Sequence, residues 1–160
     1  MSHDAEITLR PATPADLPFL KQVYASSRSA ELAATAWTEA EKQIFCDEQF
    51  KAQDLHYRQH YPGCEYLVIE RDGQPIGRLY RDQRADEIRV VDIALLPAEQ
   101  GRGIGGRIMQ DILDEAGASG LHVRIHVERS NPARRLYERL GFKLVESGEV
   151  YDLLSWTSPL

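Results

Sequence analysis

Cysteine is scarce in this chain of 160 residues, which contains only Cys46 and Cys64. Neither belongs to a C-x-x-C or other metal-type spacing, so the sequence predicts free thiols rather than a disulfide framework or a zinc site. Long apolar runs are missing as well, because no stretch approaches the ~18 residues of a membrane-spanning helix. The first residues, Met-Ser-His-Asp-Ala-Glu, are polar and acidic and do not resemble a secretory signal. We therefore expect a cytoplasmic protein with no membrane partner.

An excess of positive charge is also absent. The chain has 19 Lys and Arg residues against 25 Asp and Glu residues, which gives a formal net charge of −6. This balance argues against a nucleic-acid partner and fits an ordinary globular protein. The length favours a single domain over residues 1–160, with a core at about 6–157.

Glycine, in contrast, is concentrated in one turn. An apolar β-pattern at 88–96 runs into Gln100-Gly-Arg-Gly-Ile-Gly-Gly-Arg107. The turn lacks Cβ atoms where backbone N–H groups could converge on an anion, at Gly101, Gly103, Gly105 and Gly106. The apolar spacing of a helix begins inside the turn, at Ile104, Ile108, Ile112 and Ala116. The pattern predicts a helix whose N-terminus faces this turn.

The expected ligand of this turn is a multiply charged phosphate. The positive end of the helix, the free N–H groups and the side chains of Arg102 and Arg107 all favour such an anion. A glycine-rich helix start without any ligand is the alternative. It would cost folding entropy without improving packing, so we favour the phosphate site.

Turn and capping signals divide the chain into a strand, two helices, three strands, a helix, a strand, a helix and two strands. Thr38 and Glu41 form a capping box, and Asp72-Gly73 is a hairpin signal. The predicted strands lie at about 6–10, 65–71, 75–82, 87–96, 121–127, 142–147 and 150–157. The predicted helices lie at about 14–28, from 38 to before Pro62, from 104 onward and at 133–140. The strands on either side of the helix at 104 should be parallel, because a helix joins them.

Two motifs in this arrangement match those of one protein family. The turn has Gln or Arg, two residues, Gly, one residue, then Gly or Ala, directly after a strand ending in Ala94-Leu95-Leu96-Pro97. The matching turn residues are Gln100, Gly103 and Gly105. The second motif is met by Asn131, Ala133, Leu136, Tyr137, Gly141 and Phe142. With both motifs on the expected strand and helix types, the chain resembles the GNAT family of N-acetyltransferases over nearly its whole length.

The resemblance implies a mixed α/β (α+β) fold, with a mostly antiparallel central sheet of about seven strands and helices on both faces. It also implies one N-acetyltransferase domain that uses acetyl-CoA as co-substrate and needs no metal. In such proteins the pyrophosphate lies on the turn, and the pantetheine pairs with the backbone of the preceding strand. The implied cofactor-binding residues are Ile93, Ala94, Leu95, Gln100, Gly101, Arg102, Gly103, Ile104, Gly105, Gly106, Arg107, Asn131 and Tyr137.

The catalytic groups follow from what acetyl transfer requires. A protonated amine cannot attack a thioester, so a base or a water chain must take its proton. Family members that use a carboxylate often place a Glu near the start of the central strand, where this chain has Arg89. Glu87 and Asp92 are the nearest carboxylates and our candidate catalytic residues, with a structural acid as the alternative for Asp92. The resemblance sets Tyr137 near the cofactor sulfur, where its phenol would protonate the departing thiolate unless it is only a core residue.

Histidines are weaker candidates. His122 and His126 share the polar face of one predicted strand, where we interpret them as ordinary sheet residues. His56 and His60 have the spacing of metal ligands on a helix but no evident third ligand. We therefore expect no metal site.

Two other functions remain open. A protein of the same fold could bind acyl-CoA as a sensor without catalysis. Gly101-x-Gly103-x-x-Gly106 also fits a dinucleotide fingerprint with Glu128 as a ribose ligand, but Pro97-Ala-Glu-Gln100 separates it from its strand.

The acceptor is expected to be a small-molecule or peptide amine, and a homodimer remains an open oligomeric state. The sequence does not select the amine. Candidate acceptor contacts are aromatic residues, which could equally fill the core: Trp37, Phe45, Phe50, Tyr57, Tyr61 and Tyr80.

Overall fold

A computed structural model describes residues 6–159 of the chain. The polar segment 1–5, which supported the expectation of no signal peptide, lies outside the described residues. The helices are α1 (Leu17–Ser27), α2 (Ser29–Ala33), α3 (Glu39–His60), α4 (Ile104–Ser119) and α5 (Arg134–Arg139). The strands are β1 (Ile7–Pro11), β2 (Cys64–Arg71), β3 (Gln74–Gln83), β4 (Glu87–Leu95), β5 (His122–Glu128), β6 (Lys143–Ser147) and β7 (Tyr151–Trp156).

The seven strands have the order β1-β2-β3-β4-β5-β7-β6. β4 pairs with β5 in parallel over Glu87–Val90, and the pairs β1–β2, β5–β7 and β6–β7 are antiparallel. The prediction of a mixed, mostly antiparallel sheet of about seven strands is confirmed, as is the parallel pair across the helix. A dinucleotide-binding fold needs a largely parallel sheet, so that alternative is wrong.

Two local signals are confirmed in atomic detail. The backbone N–H of Thr38 donates to Glu41 Oε1 at 3.0 Å, and the N–H of Glu41 donates to Thr38 Oγ1 at 3.1 Å, which completes the capping box of α3. Asp72 and Gly73 have φ angles of 51° and 83°, as the two central residues of a type I′ hairpin turn require. Both features depend on residues close in sequence.

The predicted helix at about 14–28 is present as a 3₁₀ turn at Pro14–Asp16 followed by α1. The short helix α2, which follows a break at Arg28, was not predicted. Serine hydroxyls explain the break near Arg28, because each donates to the carbonyl three residues earlier and so competes with the helical bonds. The three serines are Ser26, Ser27 and Ser29.

The chain forms two compact units. Among the described residues, the first comprises 6–80 together with Asp92–Arg102, and its core includes Leu20, Tyr24, Leu32, Cys46, Phe50 and Val68. The second comprises Arg81–Val91 and the residues from Gly103 onward. In the second unit α4 contacts β5 and buries the apolar stripe predicted from the sequence, Ile104, Ile108, Ile112 and Ala116. Across residues 6–159, no helix is long and apolar enough to cross a membrane.

Candidate active site

The glycine turn contains two residues in the left-handed conformation. Gly101 and Gly103 have φ angles of 76° and 79°, in the left-handed region where residues other than glycine are strained. α4 begins directly afterwards at Ile104, and its first backbone bond runs from the N–H of Arg107 to the carbonyl of Gly103 at 3.1 Å. The first N–H groups of a helix have no acceptor within that helix, so this turn presents donors to an anion.

Space above the turn is open. A Cβ atom added at Gly101, Gly103 or Gly105 would meet no heavy atom within 4 Å. The first two glycines are explained by their positive φ angles, but Gly105 has neither a positive φ nor a packing neighbour. A helical glycine destabilises a protein by roughly 0.5–1 kcal/mol relative to alanine. Neither a turn conformation nor side-chain packing therefore requires glycine at position 105.

Side chains around the turn brace it and give it positive charge. Gln100 Nε2 donates to the carbonyl of Leu95 at 3.0 Å, which ties the turn to the end of β4. Glu99 accepts bonds of 2.6 and 3.0 Å from Arg71, and these lower the pKa of the Glu99 carboxyl. Arg102 lies 3.9 Å from Glu99 and its side chain is 57% exposed. Arg107 is also exposed, so both predicted phosphate ligands reach solvent beside the turn.

The backbone of β4 alternates between its two edges. The N–H of Leu96 donates to the carbonyl of Ile76 at 2.9 Å, so even-numbered residues here face β3. A Cβ on Gly77 would lie 2.3 Å from the carbonyl oxygen of Ala94, which explains why residue 77 is glycine. Ile93 and Leu95 therefore direct their backbone groups away from β3. The predicted site residue Ala94 has its carbonyl on the β3 side.

Asp92 is the first predicted catalytic residue, and it has a buried partner that sequence reasoning missed. Its Oδ2 atom lies 2.5 Å from Nη2 of Arg78, whose side chain is 3% exposed. Nη2 of Arg78 donates a hydrogen bond to Gln53 Oε1 at 2.8 Å, and the guanidinium lies 4.9 Å from the ring centre of Tyr80. Burial acts to lower the pKa of Arg78, but the Asp92 charge opposes it and leaves that pKa raised. The sequence signal that could have found Arg78 is an arginine on the same face of the strand as the apolar residue Ile76 and Tyr80.

Glu87, the second predicted catalytic carboxylate, is surrounded by arginines. Its side chain is 4% exposed and lies 3.1 Å from Arg84, 3.2 Å from Arg89 and 3.5 Å from Arg124. Arg89 also approaches His126 Nδ1 at 3.4 Å. Burial, and then the charge of Arg89, lower the pKa of His126. These contacts favour a structural ion cluster rather than a free base at Glu87.

Asn131 and Tyr137 lie at the start and on the inner face of α5. Asn131 Oδ1 accepts from the backbone N–H of Ala133 at 2.9 Å, so its side chain fixes the turn into the helix. α5 itself is slightly shorter than predicted, at Arg134–Arg139. Tyr137 is buried, with its ring 5.8 Å from that of Phe142 in an edge-to-face contact. The predicted inward orientation of Tyr137 agrees with this packing.

A buried aspartate braces the segment that carries Asn131. Asp152 on β7 accepts from Arg134, from Ser147 Oγ at 2.7 Å and from Arg129 at 3.2 Å. The hydrogen bond from Arg134, followed by that from Ser147, lowers the pKa of Asp152 to about 2. Sequence reasoning missed this cluster because its members come from four separate segments.

The aromatic candidates for acceptor contacts divide by burial. Phe50 and Tyr80 belong to the core, whereas Trp37 is 41% exposed and packs on Phe45 at 5.1 Å. Tyr57 lies 5.9 Å from Tyr80 and 6.3 Å from Tyr61, in edge-to-face contacts. The rings of His56 and His60 stack at 4.1 Å, and no cluster of metal-ligating side chains occurs between residues 6 and 159.

Comparisons with known proteins give one family. The model of the acetyltransferase (GNAT) family matches residues 30–142. A mycothiol acetyltransferase of Thermomonospora curvata is 36% identical over 118 residues, which are 68% of this chain and 40% of the relative. A [ribosomal protein bS18]-alanine N-acetyltransferase of Haemophilus influenzae is 32% identical over 92 residues, which are 56% of this chain and 63% of the relative. The chain thus spans less than two thirds of either relative.

Solved structures agree on the fold. A PaiA N-acetyltransferase from Thermoplasma acidophilum, solved in complex with coenzyme A, superimposes with a TM-score of 0.72 and 19% identity. The match covers 96% of this chain and 99% of that one. An acetyltransferase from Thermus thermophilus superimposes with a TM-score of 0.67 and 21% identity, over 95% and 97% of the two chains.

Proposed function

The chain belongs to the GNAT acetyltransferase family, and from that premise we propose that it transfers an acetyl group from acetyl-CoA to a primary amine as a single domain. The observation that carries the proposal is the glycine turn. Its positive φ angles, its helix N-terminus and the open space at Gly105 fit the pyrophosphate of acetyl-CoA. In this proposal Arg102 and Arg107 add charge to a cradle made mainly of backbone N–H groups.

The strand before the turn supports a place for the pantetheine. Ile93 and Leu95 turn their backbone groups away from β3, and the parallel pairing of β4 with β5 covers only Glu87–Val90. We propose that the pantetheine amides pair with this part of β4 as an added strand would. Leu95 has its carbonyl engaged by Gln100, so its N–H is the group left for this pairing.

Each proposed catalytic role belongs to a defined step. The amine loses a proton, its nitrogen bonds to the thioester carbon, the carbon–sulfur bond breaks, and the CoA thiolate takes a proton. Tyr137 supplies that last proton, because a phenol is less acidic than a thiol and stays protonated until the thiolate forms. Of the two carboxylates, Asp92 is the better contact for the amine, since 22% of its side chain is exposed while Glu87 contacts three guanidinium groups. The amine proton then passes to water.

Several classes of amine are candidates for the acetyl acceptor. The relatives act on different amines by name, including L-2,4-diaminobutyric acid, an alanine of a ribosomal protein, and L-methionine sulfoximine or sulfone. Release of free CoA from acetyl-CoA should be measured with L-2,4-diaminobutyrate, L-methionine sulfone, spermidine and an alanine-terminated hexapeptide. A cytoplasmic location and a homodimeric state remain predictions, which cell fractionation and sedimentation test.

The proposal is tested most directly by Gly103→Val. A valine there is strained at a φ of 79° and its branches enter the phosphate position, so CoA affinity should fall at least about tenfold. Gly120→Val is the matched control, because Gly120 ends the same helix with a φ of 70° and equally open surroundings. Calorimetric titration with CoA should show the loss in the first variant alone. Equal CoA affinity in both folded variants would contradict the assignment of the glycine turn as the pyrophosphate site.

A non-catalytic acyl-CoA sensor is the second candidate, favoured by Arg89 at the family's usual position for a carboxylate. It predicts tight CoA binding with no release of CoA from acetyl-CoA for any amine of the panel. Acetyl transfer to one amine, with a kcat above the rate of spontaneous acetyl-CoA hydrolysis, excludes the sensor function.

A further inference from the structure

Arg78 and Asp92 form a buried pair with an unusual single-contact geometry. Oδ2 of Asp92 lies 2.5 Å from Nη2 of Arg78, and this is the one polar contact of Asp92 within residues 6–159. Arginine and carboxylate groups often meet through two parallel hydrogen bonds, but here the second carboxylate oxygen does not share the fork. Oδ2 is covered by protein and forms no hydrogen bond of standard geometry among the described residues, so its contact with Arg78 is an ion pair. In contrast, 22% of the Asp92 side chain is exposed. The carboxylate therefore has one inner oxygen and one that Arg78 does not use.

Arg78 is held in place by more than its ion pair. Its Nη2 also bonds to Gln53 of α3, and its guanidinium lies over the ring of Tyr80. Its Nε and Nη1 atoms are buried and have no hydrogen-bond partner among the described residues. The guanidinium thus cannot turn toward solvent without losing its stacking and its bond to Gln53. It constitutes a fixed donor behind Asp92.

Asp92 directly precedes Ile93, whose backbone faces away from β3. We propose that Arg78 is a positioning residue, which holds the inner oxygen of Asp92 so that the outer oxygen accepts a hydrogen bond from the N–H of the acceptor amine. This inference rests on the proposed acetyl transfer to a primary amine. It assigns Asp92 the orientation of the amine rather than the removal of its proton.

Electrostatics supports an orienting role. Arg78 and Asp92 carry opposite unit charges and together form a neutral pair. The buried guanidinium of Arg78 needs this counterion, because an unpaired charge is costly in a protein interior. A neutral pair also gives a weaker preference for ammonium over free amine than a lone carboxylate does. The pair can thus accept a hydrogen bond from the uncharged amine that attacks the thioester.

The geometry makes an uncommon prediction for Asp92→Asn. Because Arg78 only donates hydrogen bonds, the new amide must turn its oxygen inward to Arg78. Its NH₂ group then faces the acceptor and offers donors where an acceptor atom is required. When the Arg78 donor is also removed, the asparagine can turn its amide oxygen outward. That oxygen can then accept the hydrogen bond from the acceptor amine. Arg78→Met removes the donor with a side chain that fills irregular space.

The experiment measures acetyl transfer to whichever of the four panel amines the parent uses with the highest kcat/KM. Asp92→Asn should lower kcat/KM for that amine about 10- to 100-fold, as loss of a charge-assisted hydrogen bond predicts. The double variant R78M/D92N should recover about threefold to tenfold of that loss, while CoA affinity stays at the parent value in both. R78K/D92N should show no recovery, because lysine again supplies only donors. A double variant as inactive as D92N, or a fully active D92N, overturns the inference.

Folding is followed in the same set of proteins. Urea unfolding should show a lower midpoint for R78M alone than for R78M/D92N, because the single variant leaves a buried carboxylate unpaired. If R78M/D92N does not fold, R78Q/D92N carries the same prediction, since a glutamine amide can donate or accept. Asp16→Asn is the matched control, because it removes another largely buried carboxylate, which is paired with Arg10 at 2.8 Å. D16N should lower the urea midpoint and leave kcat/KM unchanged, and an equal loss of kcat/KM in D16N would reduce Asp92 to a structural role.

Failure of this inference and failure of the proposed function give different results. If the parent releases CoA with none of the four amines, acetyl transfer to an amine is overturned and this inference falls with it. If the parent is active but the variants show no recovery pattern, only the role of Arg78 is overturned.

Discussion

The glycine turn and the buried side chains of the candidate site solve different problems in different ways. The turn presents backbone N–H groups, and the charged side chains from Gly101 to Arg107 are two exposed arginines, Arg102 and Arg107. In the proposed mechanism Asp92 and Tyr137 act instead through single polar atoms whose positions depend on packing. Backbone donors suit a ligand of fixed charge such as a pyrophosphate, whereas proton transfer and amine orientation need individual side-chain groups.

The difference predicts how each region fails. Damage to the turn should weaken CoA binding and leave the chemical step intact once the site is saturated. Damage to the buried side chains should lower kcat or the use of the amine and leave CoA affinity unchanged. A variant of either region that lowers both CoA affinity and kcat would contradict this division.

The largest expected effect is on Tyr137→Phe. The phenylalanine keeps the contact with Phe142 and removes the proton donor, so kcat should fall ~100- to 10,000-fold with CoA affinity unchanged. Stopped-flow measurement of the chemical step separates this loss from product release. Tyr24→Phe is the control, because Tyr24 is buried to the same extent. A Y137F enzyme with the parent's chemical rate would leave Tyr137 as a core residue.

A smaller effect is expected at the arginines of the turn. Arg102→Ala and Arg107→Ala should each weaken CoA by roughly 1–3 kcal/mol, as the loss of one charge-assisted hydrogen bond predicts. The difference from the parent should shrink as salt rises, because both side chains are exposed. Lys143→Ala removes one exposed charge from β6 and controls for net charge. Loss of all measurable CoA binding in either variant would show that side chains, not backbone, carry the binding.

Gly105→Ala should change protein stability and CoA affinity in opposite directions. Alanine at this helical position should raise the free energy of unfolding by roughly 0.5–1 kcal/mol, since no neighbour opposes the new Cβ. CoA affinity should fall at the same time, because the methyl group enters the ligand space. Gly117→Ala in the same helix would add a Cβ 3.6 Å from Trp156 and should stabilise without affecting CoA. A stabilised G105A with the parent's affinity would mean that no ligand approaches Gly105.

The smallest effect is a change in acid stability. The pKa of Asp152 is lowered to about 2 by Arg134 and Ser147, so its ionised form stabilises the fold above the pKa of an unfolded aspartate, at ~3.9. That stabilisation is lost as the pH falls toward about 2. Asp152→Asn should therefore be less stable than the parent at pH 7, and the difference in urea midpoint should narrow from about pH 4 downward. A constant difference across that range would show that Asp152 does not titrate as the ion cluster requires.

Signals between neighbours in the sequence predicted their structures well. The capping box at Thr38 and the hairpin at Asp72-Gly73 need only the conformations of a few consecutive residues. The break at Arg28 and the short helix α2 after it were not predicted, although their cause is also local, because serine hydroxyls offer carbonyls an alternative partner near Arg28. The periodicity of apolar residues alone does not reveal this competition for backbone carbonyls.

The sequence by itself determined the glycine turn and the helix that follows, because each depends on backbone torsions within a few residues. Tertiary structure alone decided which distant polar groups meet: Arg78 with Asp92, Glu87 with Arg124, and Asp152 with Arg134. The first two pairs lie on neighbouring strands, where a register shift of one residue would turn either member to the opposite face of the sheet, and the third joins a strand to α5. These contacts are therefore consequences of the tertiary structure and cannot be derived from spacing along the chain.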